Sequence, residues 1–377
     1  MTEPPSHSSS PSLAVGLMSG TSLDGMDAAL VRFAGTTGVE LLAFAHRPYH
    51  AEERRELEEA IERQEGGARR LAQLHAQIAG WAAEAVQEVL ARGGVRSAEL
   101  DLIAFHGQTV WHEPPLVTLQ LGEPALLAER FGVRVVSGFR GRDLAAGGQG
   151  APLVPMADVL LFGAEEHPRV LLNLGGIANI TLVARRGVEQ GSFAFDTGPG
   201  VVVMDAVARL AEPGISFDRD GALAAQGQPS EPVLADLLAD SFFAEEPPKS
   251  TGRERFGSAF AGRLFARAPG PDAVATAVEL TARSVAAAIA RWTPGGTEVV
   301  ASGGGCHHPG LWESLRARLA ERGRALRRFD ELFFSGDAKE AVAFALLGSL
   351  TLQGRPGNLP AATGARGPRV LGAVTPA

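Results

Sequence analysis

The sequence predicts an α/β protein of two lobes built on a duplicated plan. Three observations carry this reading. The chain of 377 residues is longer than one ordinary hydrophobic core serves, which points to two domains. A strand, glycine-rich turn, strand unit near the amino terminus recurs roughly 155 residues later. Between and after these units, buried-type strands alternate with helical stretches, the pattern of an α/β lobe.

The first unit has a strand over residues 13–18, the turn Gly20-Thr21-Ser22-Leu23-Asp24-Gly25, and a returning strand over 28–33. Two helical segments follow, and in the second Leu71, Leu74, Ile78, Trp81 and Ala85 recur at steps of three and four, one inward face. A strand over 102–105 ends at His106-Gly107-Gln108-Thr109, and a helix over 123–130 leads into a strand over 133–136. After a polar stretch at 164–168, a strand over 170–174 runs into Gly175-Gly176-Ile177-Ala178-Asn179 and returns over 180–183. A strand over 193–195 then delivers Asp196 to the turn Thr197-Gly198-Pro199-Gly200, ahead of a helix from Val201. Residues 216–255, rich in Asp, Pro and Gly, form an excursion at the edge of a cleft between the lobes. A helix over 273–292 precedes a strand over 298–301 that ends in Ser302-Gly303-Gly304-Gly305, and residues 340–352 form a buried helix. The expected division is a loose Ser/Pro-rich tail at 1–12, a first lobe at 13–168 joined by 353–377, and a second lobe at 169–352.

Composition excludes several functions. Hydrophobic residues at 45% and charged residues at 21% suit a globular protein, and no unbroken apolar run reaches membrane-spanning length. The opening residues lack the basic start and apolar stretch of a secretion signal, so a cytoplasmic protein is expected. A net charge of −8 argues against a broad nucleic-acid footprint, which leaves small ligands as partners. Cys306 is the sole cysteine and is read as structural. The only lysines are Lys249 and Lys339, and neither stands in a Gly-Lys-Ser/Thr loop. Any nucleotide phosphates must therefore be held by backbone N–H groups, hydroxyls and a metal.

The motifs fit that requirement. At a hairpin tip, Gly20 and Gly25 admit an anion to the backbone while Thr21 and Ser22 donate to its oxygens, and Asp24 and Asp27 can hold Mg²⁺ through water. An ordinary Asp-Gly turn is the plain alternative for that segment alone. The second turn, Gly175-Gly176, and the triple glycine 303–305 suit the rest of one nucleotide. Asp196, between glycines and near a helix start, can take a proton from an attacking hydroxyl or water; capping that helix is its other reading, and Gly200 stands nearer the cap. Arg140 and Asp143 flank a segment ending Gly147-Gly148-Gln149-Gly150, a polar cluster suited to a polyhydroxylated ligand or to a solvated loop. His106 and His112, and the adjacent His307 and His308, lack zinc-site spacing. Asp218-Arg219-Asp220-Gly221 lacks the later glutamate of a calcium loop and is read as a turn.

Taken together, these motifs resemble the anhydro-N-acetylmuramic acid kinases, a family of the actin, Hsp70 and sugar kinase superfamily. The resemblance rests on the run from Gly16 to Asp27, on His106-Gly107-Gln108-Thr109, on residues 145–155 and 172–181, and on Phe195-Asp196-Thr197-Gly198-Pro199-Gly200. It continues through Pro248-Lys249-Ser250-Thr251-Gly252-Arg253-Glu254 and residues 340–345 to Asn358-Leu359-Pro360. It implies a duplicated actin-like, ribonuclease H-like fold with a central nucleotide cleft. The implied reaction uses ATP and water to convert 1,6-anhydro-N-acetylmuramic acid to N-acetylmuramic acid 6-phosphate, with Asp196 activating the water. Carried over by motif, residues 20–27, Gly175, Gly176, Asn179, Gly303, Gly304 and Gly305 would bind ATP. His106, Gln108, Thr109, Arg140, Gln149 and Glu340 would bind the sugar, and the protein would be a homodimer. The family pattern has aspartate where Gly138 stands and asparagine where Val201 stands, both beside the expected sugar site. Two other readings stay open: an ordinary hexose or carboxylate kinase, and a nonenzymatic ATP-driven switch.

Overall fold

The computed structural model describes residues 13–20, 22–35, 37–61 and 67–377. Thr21 of the first turn lies outside the described residues. The chain divides into two compact units: one runs to Leu161 and takes in Ala338–Ala377, and the other is Phe162–Asp337.

In the first unit, strands β1 (Leu13–Ser19), β2 (Gly25–Ala34) and β3 (Gly38–Pro48) form an antiparallel meander. Strand β4 (Leu102–Glu113) lies parallel to β1 on its other side, with β5 (Val117–Leu121) folded back on it, and β6 (Val135–Ser137) continues the sheet parallel to β4. The terminal strand Ala373–Thr375 closes that edge. In the second unit, β7 (Arg169–Leu174), β8 (Ile177–Val183) and β9 (Phe193–Pro199) repeat the meander. Strands β10 (Glu298–Ser302) and β11 (Leu326–Arg328) add the two parallel members. With β5 and the terminal strand set aside, the first sheet reads β3-β2-β1-β4-β6 and the second β9-β8-β7-β10-β11, in the same directions. The duplicated actin-like α/β plan is written in strand order as well as in turn chemistry.

Each meander needs a covering helix because its strands are apolar on faces that water cannot be left to wet. Gly67–Gly93 covers the first sheet with Leu74, Ile78, Trp81 and Ala85, so the spacing seen in the sequence is the buried face. Pro271–Trp292 does the same in the second unit; it is long and apolar enough to span a membrane, yet its residues are core.

Several expectations are corrected. The helix Lys339–Leu352 belongs to the first unit and not to a second lobe ending at 352. Its backbone lies so close to β1 that a Cβ on Gly16 would collide with the Ala341 carbonyl oxygen, and a Cβ on Gly348 would stand 2.7 Å from that of Ala104 on β4. Buried nearly all round, it carries no one-sided period that would have assigned it to either sheet. The break between units falls at 161/162 and not at 168, because Phe162 packs against Phe329, Phe333 and Phe334. Strand β3 lies where only helices were expected; residues 41–45, Leu-Leu-Ala-Phe-Ala, lack polar alternation. Residues 216–255 contain the helices Glu231–Leu238 and Ser241–Ala244.

Candidate active site

The first turn is built from below. Ser19, 2% exposed at the end of β1, has its hydroxyl 2.7 Å from that of Tyr49, 3.1 Å from the Gly25 carbonyl and 2.5 Å from Gln108 Oε1. Gln108 Nε2 donates in turn to the carbonyls of Gly20 and Thr109. One buried amide and one buried hydroxyl therefore fix both ends of the turn. Burial pushes the Tyr49 phenol up to about 12, against the opposing hydrogen bond with Ser19, so it remains neutral. At the tip, Leu23 has φ of 54°, a conformation costly for a bulky side chain, and is held there by burial in the core. A Cβ on Gly25 would be 2.7 Å from the His46 ring, whereas one on Gly20 would meet nothing nearer than 3.6 Å. Gly25 is thus demanded by the protein, while Gly20 leaves its space to a ligand. Met26 is wholly buried and anchors the returning strand. Ser22 donates to Asp24 Oδ1 at 2.7 Å, and Asp27 Oδ1 lies 2.7 Å from His46 Nδ1.

The expected sugar-binding residues sort into two groups. His106 and Gln108 are 3% and 0% exposed, and their polar atoms are engaged within the protein. Arg140 Nε donates to His106 Nε2 at 3.0 Å, which makes that nitrogen the acceptor and leaves Nδ1–H to donate to the Gly107 carbonyl at 2.7 Å. Burial, then the Arg140 charge, holds the imidazole well below its ordinary range, so it is neutral. In this structure His106 orients Arg140 and Gln108 holds the turn. Sequence could not see this, because both roles depend on which strand lies alongside. Thr109 accepts from Gln120 Nε2 at 3.2 Å. Arg140 and Gln149 reach solvent, as does Glu340 on the first turn of Lys339–Leu352. The mass of protein around Glu340, then the Asp27 charge, raises its carboxyl, with Lys339 and Arg140 opposing.

Asp143 is the hub of this side and 0% exposed. Its Oδ1 accepts from Asn358 Nδ2 at 2.7 Å and Thr363 Oγ1 at 2.8 Å, and its Oδ2 accepts from the Gly150 N–H at 2.8 Å. The Gln149 N–H donates to the Thr363 carbonyl, and Arg140 Nη1 to the Gly150 carbonyl. A Cβ on Gly148 would collide with the Asp143 carboxylate, so the Gly147-Gly148-Gln149-Gly150 loop is glycine-rich because it wraps a buried anion. Gly138, with φ of +70°, has nothing within 4 Å of a Cβ position.

In the second unit the glycines converge. The Gly175 carbonyl accepts from the Val201 N–H and the Gly176 carbonyl from those of Gly200 and Val202. The turn is thereby stitched to the start of the helix Val201–Ala211, whose cap is Gly200 and not Asp196. Gly303, with φ of +93°, and Gly305 both lie against Leu174, where a Cβ would come within 2.9 Å of the Leu174 carbonyl oxygen. Gly304 begins the short 3₁₀ turn Gly304–His307. Residues distant in sequence thus meet at one end of the second sheet.

Asp196 sits within β9 and not beyond its end, directly opposite Asn179 on β8. Facing neighbours of this kind have Cβ atoms about 5 Å apart, so Asn179 stands beside the carboxylate. Asp196 is partly exposed, and its Oδ2 accepts from the Thr251 N–H at 2.9 Å while its own N–H donates to the Lys249 carbonyl at 3.1 Å. Burial pushes its carboxyl up to about 6, with the Thr251 hydrogen bond and the Lys249 charge opposing and Glu254 adding. A carboxylate so tuned changes charge near neutrality and can accept a proton from a bound oxygen. Sequence reading left Thr251 and Lys249 out of the site, although the Lys-Ser-Thr-Gly run was available as a signal. It also missed Asp205, the one acid in an apolar helix, whose carboxyl burial likewise pushes up to about 6.

Two sheets that share a five-strand order, each bearing a glycine-rich hairpin turn, define the duplicated actin-like α/β class, and the second carries a tuned carboxylate. A family model described as "Anhydro-N-acetylmuramic acid kinase" matches residues 12–377. The chain belongs to that family. It is 40% identical over 384 residues to the anhydro-N-acetylmuramic acid kinase of Caldanaerobacter subterraneus subsp. tengcongensis, covering 96% of each chain. It is 45% identical over 379 residues to that of Gloeobacter violaceus, covering 97% of this chain and 99% of the relative. Among solved structures it is similar to Acidaminococcus fermentans (R)-2-hydroxyglutaryl-CoA dehydratase component A, with a TM-score of 0.46 and 11% identity over 89% of this chain and 98% of that one.

Proposed function

We propose that the protein uses ATP and water to open 1,6-anhydro-N-acetylmuramic acid and form N-acetylmuramic acid 6-phosphate, a step of cell-wall recycling. Family membership over nearly the whole chain supports the substrate, and the tuned carboxylate of Asp196 is the observation that carries the chemistry. Water attacks the anomeric carbon and gives its proton to Asp196. The bond from that carbon to the ring-bridging O6 breaks, and O6 takes the γ-phosphoryl group as ADP leaves. Little covalent work falls to the protein beyond this proton, so positioning and charge stabilisation dominate. Thr251 keeps one carboxylate oxygen aligned, and Asn179 offers an amide beside it to the water or the sugar.

Residues 20–27, Gly175, Gly176, Asn179 and Gly303–Gly305 are the proposed ATP contacts. His106, Gln108, Thr109, Arg140, Gln149 and Glu340 are those for the sugar. Mg²⁺ fits the chemistry of the first turn. Asp24, Asp27 and Glu340 are hard oxygen donors, and the two aspartates raise the Glu340 carboxyl, a mutual repulsion that a dication relieves. Among the described residues no three His, Cys, Asp or Glu side chains converge to hold an ion unaided. The ion would therefore arrive with the nucleotide and be held partly through water. When bound it would neutralise charge on the phosphates.

The deciding experiment incubates the protein with ATP, Mg²⁺ and the anhydro-sugar and resolves the products. ADP and a 6-phosphorylated reducing sugar in equal amounts are expected; folded protein that yields neither overturns the reading. In H₂¹⁸O, label at the anomeric position above the exchange of the open-chain sugar is expected, whereas an ordinary hexose kinase incorporates none. Cytoplasmic residence and a homodimer accompany this proposal, and sedimentation of the purified chain tests the latter.

A further inference from the structure

The second unit contains a cavity of about 350 Å³ that no step of the proposed reaction uses. Its apolar wall includes Leu238, Phe243 and Trp292, and no acidic side chain lines it. Five cations do: Lys249, Arg283, Arg291, Arg318 and Arg322. Two of these are neutralised from behind, Arg283 by Glu231 and Glu279 and Arg318 by Glu279.

Lys249 and Arg291 are not, and Arg322 is paired only on the surface. Among the described residues Arg291 makes no ion pair, and its guanidinium lies over the Trp292 ring, 4.6 Å from the centroid. Lys249 donates to the Phe242 carbonyl at 2.7 Å and sits 4.4 Å from that ring's centroid, again with no carboxylate in ion-pair range. Arg322, itself exposed, donates to the Arg318 carbonyl at 3.0 Å and has the exposed Glu321 3.8 Å away. Burial, with the Arg291 and Arg255 charges, holds the Lys249 ammonium below its ordinary range, against Glu245. The half-buried Lys249 lies on an apolar wall with the exposed Arg291 and Arg322, and an anion joining them would be attracted by all three while aromatic rings offer an apolar surface beside it.

We propose that this cavity binds a small organic dianion on an aromatic or apolar body, its charge between Lys249, Arg291 and Arg322 and its body on Phe243 and Trp292. The site is independent of the kinase reading. It nevertheless adjoins the catalytic strand, since Thr197 lines it and the Lys249 carbonyl accepts from the Asp196 N–H. For that reason the test leaves Lys249 intact.

Phenyl phosphate is titrated into the full chain held with saturating ADP, Mg²⁺ and sugar product, and binding is read by calorimetry and by quenching of tryptophan fluorescence. Saturable binding is expected, weakened about tenfold or more in Arg291→Ala/Arg322→Ala. The double variant should keep wild-type turnover and thermal unfolding in the absence of the probe. Inorganic phosphate, lacking the ring, should bind about tenfold more weakly than phenyl phosphate. Absence of saturable binding, equal binding by the double variant, or equal affinity for inorganic phosphate overturns the proposal. So does a double variant that changes oligomeric state in sedimentation while binding the probe unchanged, which would make this face a contact between copies of the chain.

Discussion

Replacing Asp196 by asparagine keeps the shape of the side chain and an oxygen for the Thr251 N–H, and it removes the charge that burial opposes. The folded carboxyl titrates at about 6 against an ordinary 3.8, a gap of about two units, worth about 1.4 kcal/mol each. The folded protein therefore holds this proton more tightly than the unfolded chain does. Below the ordinary value both states are protonated and the aspartate costs nothing. Between about pH 4 and 6 the unfolded chain releases its proton first, and stability falls as pH rises. Above about 6 the full penalty, about 2–3 kcal/mol, is present. The asparagine variant should therefore be more stable than wild type by about that amount at pH 8 and by nothing at pH 3.5, with the gain growing in between. Urea denaturation of both proteins across that range measures it. The variant should also lose turnover by about a hundredfold or more while still binding nucleotide, and wild-type turnover should fall as pH drops through about 6. A stability gain that does not vary with pH, or a variant that turns over normally, would refute the assignment of Asp196 as a desolvated base.

Other perturbations probe the supports of the site. Asp143→Ala leaves the Asn358 amide, the Thr363 hydroxyl and the Gly150 N–H buried without their acceptor, so a loss of about 3–5 kcal/mol in chemical denaturation is expected. Gly16→Ala drives a methyl group into the Ala341 carbonyl and should cost about 3 kcal/mol, read as a lower denaturation midpoint. The Tyr49 phenol should remain neutral in an ultraviolet titration up to about pH 11, where an ordinary tyrosine has ionised; as the chain's sole tyrosine it is read without interference.

Much of this architecture is legible in the residues. Two glycine-rich turns between apolar runs announce the duplication, and the pairing repeats it over five strands of each sheet. The period of Leu74, Ile78, Trp81 and Ala85 locates a covering face before any neighbour is known. Lysine scarcity rules out a Walker loop from composition alone. These features are local: a turn needs its glycines and an amphipathic helix its spacing, whatever surrounds them.

What sequence could not assign depends on partners far along the chain. Lys339–Leu352 is apolar nearly all round, and only the close approach of Ala341 to Gly16 shows which sheet it joins. His106 and Gln108 look like ligand contacts in sequence, yet a buried polar group must find partners, and Arg140 and Ser19 are delivered to them by other elements. Asp143 meets Asn358 and Thr363 more than two hundred residues away, which turns a polar loop into a wrapped carboxylate. The sequence by itself determined the duplicated plan, the glycine-rich turns and Asp196 as the carboxylate to watch. Tertiary structure alone decided how that carboxylate is tuned and which polar residues are supports, because desolvation and hydrogen-bond satisfaction exist only once the chain has closed around them.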